Sequence, residues 1–463
     1  MAIDFQRFFD ACNPTRTLNM SDPQDRQYYI DFSSVRGSNI IRELGRTITL
    51  LAPNRPTCQL FSGHIGCGKS TELLRLKAEL EQQGFYVVYF ESTQDLDMMD
   101  VDVTDVLLAI ARQVSESLEQ SQIYLQSTGF KELLQKAVEF LQTPIELTGE
   151  ASIPGIGTFA ASTAGNLEFS LPVGIGKITA KAKDSPNLRS RLRQYLEPRT
   201  NNILQVINDE LLKPATIALK QRGQAGLVVI VDNLDRVDAR LIPSGRLQTE
   251  YLFIDRGDQL RQLNCHLVYT VPLILLFSNG SEMLKNRLGG GMAPKVLPMV
   301  PVQRRNRQID EQGMQMLRQM VLARTFPELP KAERLERITE VFESAATLNR
   351  LCHISGGHVR KLLALLYACL QQEDLPLSTA CLERVIREYR DSLLITIDDD
   401  EWEMILQVVQ RQTLKGEKEY ETLLPSMFFF EYRDQHGAWY EINPVLKETE
   451  KFKTWQDKVA LKG

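Results

Sequence analysis

Residues 63–70 read Gly63-His64-Ile65-Gly66-Cys67-Gly68-Lys69-Ser70, a G-x-x-x-x-G-K-[ST] pattern. Its glycines are required because backbone N–H groups must turn inward around an anion, a curvature that side chains obstruct. In that geometry Lys69 reaches the β- and γ-phosphates of a nucleoside triphosphate and Ser70 offers its hydroxyl to Mg²⁺. The helix that carries Lys69, Ser70 and Thr71 adds the partial positive charge of its N-terminus. Average residue usage puts a chance match in a chain of this length at roughly 1–2%. An apolar run, Cys58-Gln59-Leu60-Phe61, stops at Gly63, and Leu73, Leu74, Leu76 and Leu80 continue at helical spacing. Strand, glycine loop and helix follow in order, and the ligands implied are ATP and Mg²⁺. Cys67 reads as a small residue that fits the loop.

A second constellation is Leu227-Val228-Val229-Ile230-Val231-Asp232, an apolar strand ending in an acid, followed by Asn233-Leu234-Asp235-Arg236. A carboxylate at the end of a buried strand beside the phosphate loop holds magnesium, the role assigned to Asp232. Many ATPases with an extra strand between these two motifs place a Glu directly after that Asp to polarise the attacking water. Here the position is Asn233, so the base is displaced or absent. Asp235 is the first candidate and Glu91, at the end of the run Tyr86 to Phe90, the second; a surface or capping carboxylate is the alternative for each. Thr270 closes His266-Leu267-Val268-Tyr269-Thr270, where it either reaches the γ-phosphate or serves as a turn threonine. Arg360, in Ile354-Ser355-Gly356-Gly357-His358-Val359-Arg360, stands one turn into a helix. From there it enters the nucleotide site or lies solvated on the helix face.

The elements that position these residues alternate. Apolar runs at 58–61, 86–90, 227–231 and 266–271 are separated by helical stretches, the signature of a parallel sheet with helices on both faces. A further run, Val296 to Val302, contains Pro298 and Pro301 and belongs at a sheet edge. Between Thr143 and Lys183 small residues accumulate, and Leu167, Phe169, Leu171, Val173 and Ile175 recur with period two. That spacing predicts a β-rich insertion over about 143–200. Helical patterns over Met314 to Ala323, Leu335 to Ser344 and Val359 to Leu370 predict a helical module after residue 308. The last stretch gives a helix over Asp400 to Gln410, then Met427 to Tyr432, a turn at Asp434 to Gly437, and Trp439 to Ile442. A small winged-helix-like unit is the expectation. The domains are therefore 1–307, 308–395 and 396–463.

These residues together resemble the P-loop ATPases of the AAA+, STAND and KAP groupings, within the ASCE division. Val35-Arg36-Gly37 resembles the box that precedes the P-loop in STAND and origin-recognition-type ATPases, with Arg and Gly reversed. Val231-Asp232-Asn233-Leu234-Asp235-Arg236 is similar to the Walker B segment of KAP ATPases, with Asn for the second Asp. Gly356-Gly357-His358-Val359-Arg360 resembles a sensor 2 region. The resemblance implies a sheet of order 5-1-4-3-2, a helical lid and a winged helix after it.

A net charge of −5 gives no global basic field. Seven scattered cysteines form no zinc or disulfide pattern. The sequence has no ~18-residue apolar span and no basic-then-apolar start, so a cytoplasmic protein is expected. Two functions compete: a switch whose lid closure regulates a protein partner or self-association, as in signalling or defence, and an ATP-dependent DNA-binding regulator of the initiator or transposition type. Seven basic residues between Lys177 and Arg199, against two acids, are the candidate nucleic-acid surface or a solvated helix face.

Overall fold

The computed structural model describes residues 3–125, 127–142, 171, 172, 174–176, 179, 185–411, 413, 414 and 416–460. Five strands, β1 (Cys58–Gly63), β2 (Tyr86–Glu91), β3 (Leu227–Asp232), β4 (His266–Thr270) and β5 (Lys295–Leu297), form the central sheet. Each neighbouring pair is parallel, and the order is β2-β3-β4-β1-β5, which read from the other edge is 5-1-4-3-2. Every residue of β3 and β4 is buried, as expected of inner strands covered on both faces. The edge strand β5 stops at Leu297, where Pro298 cannot donate to the ladder.

On one face the helix Val103–Gln120 sets Val106, Leu107, Ile110 and Val114 against the sheet. On the other face the helix Lys69–Gln82, which starts from the glycine loop, packs Leu73, Leu76 and Leu80 together with Ile41 and Leu44.

The expected β-rich insertion is corrected where the structure describes it. Residues 171, 172, 174–176 and 179 are helical, and Pro186–Leu196 and Thr200–Val206 are helices too. The remainder of the alternating stretch, including Leu167, Phe169 and Val173, lies outside the described residues.

Past residue 308 come the helices Glu311–Thr325, Ala345–Ile354, Val359–Gln372 and Thr379–Leu394. The stretch expected as one helix over 335–344 is two short ones, Lys331–Glu336 and Ile338–Val341. The C-terminal part has the helices Asp399–Arg411 and Gly416–Leu423, then an antiparallel hairpin of β6 (Phe429–Asp434) and β7 (Gly437–Ile442), then the helix Glu450–Ala460.

The hairpin faces two cores. Phe429 and Ile442 join Leu362, Leu366, Trp402 and Ile405 of the helical region, a core that also takes Phe8, Ile30 and Phe32 from the N-terminal segment. Phe430, Tyr432 and Trp439 join the core of the P-loop helix. Adjacent strand residues point to opposite faces, so Phe429 and Phe430 serve different cores. Among the described residues no helix is long and apolar enough to cross a membrane.

Candidate nucleotide site

Gly66 adopts φ +86°, and a Cβ there would stand 2.6 Å from His358 Cε1 and 2.9 Å from the Arg360 Cβ. The loop therefore needs glycine both for its left-handed turn and because the segment carrying His358 and Arg360 lies directly on it. The Arg360 N–H donates to Gly66 O at 3.1 Å, and His358 Nε2 bonds Ile65 O at 2.8 Å. His358 Nδ1 accepts from the Lys361 N–H, which fixes the ring as neutral with its proton on Nε2. His64 accepts the Glu431 N–H at Nε2, so it too is neutral. Burial depresses both rings, to about 3 for His64 and about 4 for His358, and keeps those tautomers at ordinary pH.

Lys69 begins the helix beneath this loop. An ammonium has three N–H donors, and here they face Gly63 O at 2.8 Å, His64 O at 2.9 Å and Asp235 Oδ2 at 3.0 Å. Burial opposes the charge, yet the Asp235 carboxylate and other neighbouring anions outweigh it and hold the amine above its ordinary value.

At the end of β3, Asp232 accepts from the Asn233 N–H at 2.7 Å, from the Tyr89 hydroxyl at 2.8 Å and from Ser70. Burial raises its carboxyl above the usual range, with the Ser70 and Tyr89 hydrogen bonds acting the other way. Two hard oxygen donors, the Ser70 hydroxyl and this carboxylate, thus stand side by side at the strand end. That is the donor set magnesium takes from a protein when phosphates and water complete its shell.

Asn233 sits at φ 60°, ψ 8°. Asn adopts that left-handed geometry at low cost, and the residue turns the chain where many P-loop ATPases carry an acid. Thr270 is fully buried; its Oγ1 accepts the Leu234 N–H at 2.9 Å and donates to Val231 O at 3.3 Å. It braces the turn after β3 rather than facing the cleft, which is the turn role the sequence left open. Glu91 is the register partner of Asp232 on β2, so both side chains leave the same face of the sheet.

A cleft of about 870 Å³, counted out to its open mouth, runs over the loop from Ile65 to Glu72 and includes Thr71. One wall carries Asp235, Arg236 and Arg360; burial, then the charge of Arg236, pulls the Arg360 guanidinium below its ordinary value. The rest of the lining comes from the N-terminal segment, mostly the apolar Leu18, Tyr28, Tyr29, Ile30 and Phe32 with Arg16 and Arg36 among them, and from Met320, Arg324, Val359 and Leu363. The sequence pointed to Arg360 but missed this apolar wall, as well as Tyr89 and Arg236. Arg36, noted only for its box, is 3% exposed, donates to Cys67 O at 2.8 Å and lies 3.9 Å from Glu72.

The basic run is largely committed to partners within the chain. Arg189 pairs with Asp97 and Asp100, Arg193 with Asp100 and Asp105, Arg191 bonds the carbonyls of Phe140 and Leu141, and Arg199 that of Tyr195. Lys177, Lys181 and Lys183 lie outside the described residues.

No protein-family model and no curated protein matches the chain. Among solved structures it is similar to the Walker-type ATPase of Pyrococcus abyssi, at 12% identity and TM-score 0.41, covering 91% of this chain and 98% of that one. It is also similar to the ORC2 protein of Aeropyrum pernix, at 11% identity and TM-score 0.36, over 96% of this chain and 94% of that one. A third is Cdc6p from Pyrobaculum aerophilum, at 11% identity and TM-score 0.36, over 91% and 95%. From its own strand order, glycine loop and acid-ended inner strand, the chain has the P-loop NTPase fold with a 5-1-4-3-2 sheet.

Proposed function

We propose that the chain is an ATP-binding and ATP-hydrolysing switch whose lid and C-terminal unit move together with the state of the nucleotide. One observation carries this reading: the β6–β7 hairpin holds both halves of the site. The Glu431 N–H donates to His64 of the P-loop at 3.1 Å, and the Tyr432 hydroxyl donates to Gly356 O of the lid at 2.7 Å. Phe430 lies edge-on to His64, with ring centroids 6.2 Å apart, and fills the space a side chain at Gly356 would need. A displacement of the P-loop or of the lid must therefore strain or release the hairpin, because close-packed contacts do not deform continuously.

In this reading Ser70 and Asp232 hold magnesium, which spreads the phosphate charge when bound. Lys69, Arg236 and Arg360 face the phosphates, and the apolar wall around Tyr28, Ile30 and Phe32 takes the base. The hairpin passes the state to a protein partner or a second copy of the chain, in signalling or defence. The DNA-binding alternative loses support from the basic run, whose described arginines are engaged within the chain.

Hydrogen exchange across 427–443 tests the switch. The hairpin amides are expected to exchange at different rates with ADP and with a slowly hydrolysed ATP analogue, and identical rates sink the proposal. Arg360→Ala tests the lid contact. Removing a charge-assisted hydrogen bond of ~1.5–3 kcal/mol should weaken ATP by roughly 10- to 10²-fold while sparing ADP. Equal losses for the two nucleotides would place Arg360 away from the γ-phosphate.

A further inference from the structure

We infer that Tyr89 is a positioning residue for the divalent cation, fixing the Asp232 carboxylate beside Ser70. The inference rests on the assignment of Ser70 and Asp232 as the magnesium-holding pair. Tyr89 belongs to β2, the strand next to β3, and is the register partner of Ile230; Asp232 is two residues further along. That diagonal is within reach of an aromatic side chain on a shared sheet face. The phenol spans it and donates to Asp232 Oδ2 at 2.8 Å, with Ser70 within hydrogen-bonding reach of the same hydroxyl.

A carboxylate at the end of a strand is free to rotate about its last torsion unless both oxygens are held. Here the Asn233 N–H takes Oδ1 at 2.7 Å and Tyr89 takes Oδ2. With the Ser70 contact these bonds use three of the four lone-pair sites of the carboxylate, so one remains for a cation without breaking either of the two that set its plane. The plane is set in advance, and the cation need not order it on binding. Tyr89 itself is held by its partly buried ring, packed against the core beneath the P-loop helix.

Tyr89→Phe keeps the ring and removes only the hydroxyl. The test titrates Mg²⁺ against wild type and variant in the presence of ADP, reading the melting temperature, and measures ADP affinity separately in EDTA. The half-saturating Mg²⁺ concentration should rise about tenfold, the usual scale for losing a group that orients a metal ligand, while the affinity in EDTA stays unchanged. An unshifted Mg²⁺ midpoint, or an equal loss in EDTA, overturns the inference. Asp232→Asn is the companion arm. It should abolish the Mg²⁺ response, and if it does not, the metal assignment itself fails whatever Tyr89→Phe shows.

Discussion

Lys69→Ala lowers the affinity for ATP by about 10²- to 10⁴-fold, since it removes two charge-assisted hydrogen bonds to phosphate at ~1.5–3 kcal/mol each. From the sequence, Lys69 contributes charge to the phosphates and nothing to a core, so the fold should be indifferent to its loss. The structure changes that second half. The amine joins two loop carbonyls to Asp235, whose side chain is 5% exposed, and its removal leaves that carboxylate buried without its cation. Breaking a buried pair from one side costs about 3–5 kcal/mol. A single variant therefore confounds lost binding with lost stability. The double variant Lys69→Ala with Asp235→Asn separates them, because neutralising the partner should recover most of the melting temperature and none of the ATP affinity. Undiminished binding of labelled ATP by a folded double variant would remove Lys69 from the site.

The features readable in the sequence are the local ones. The glycine loop, the apolar run ending in Asp232 and the alternation of strand and helix each depend on neighbours a few residues away, and each stands where expected. The insertion misled because Leu171 and Ile175 fit two periods at once. They are alternate members of a period-two series and also four apart, one helical turn, and both are buried in a helical setting. Thr270 stands at the strand end as expected, but whether its hydroxyl faces a phosphate or the next turn depends on the path of 231–235. What no local pattern carries is contact between distant segments. His64 and Glu431 are 367 residues apart, and Ile30 and Phe32 of the N-terminal segment share a core with Leu362 and Leu366. The sequence predicted the hairpin, not what its two faces cover.

Glu91→Gln is expected to retain ATP and magnesium and to slow single-turnover hydrolysis by at least ~10²-fold, within the span of a lost general base. Sequence order favoured Asp235, an acid three residues past Asp232 where the chain turns over the site. It does line the cleft, but its Oδ2 is paired with the Lys69 ammonium at 3.0 Å, so it serves that charge until phosphate draws Lys69 away. Glu91 is the register neighbour of Asp232 and leaves the same sheet face, so it stands beside the acid proposed to hold magnesium, without an intervening strand. We propose Glu91 as the base, with Asp235 as the group that competes with phosphate for Lys69. The two roles predict opposite results for Asp235→Asn. As a competitor, its neutralisation leaves turnover within a few-fold of wild type and tightens ATP binding, because Lys69 no longer has to leave an ion pair to meet the phosphates. As the base, its neutralisation stops turnover and leaves affinity alone. Collapse in Asp235→Asn with an unaffected Glu91→Gln would return the role to Asp235. If both variants match a wild type that turns over barely faster than water, ATP is held rather than consumed. The hairpin would then report occupancy of the site instead of hydrolysis.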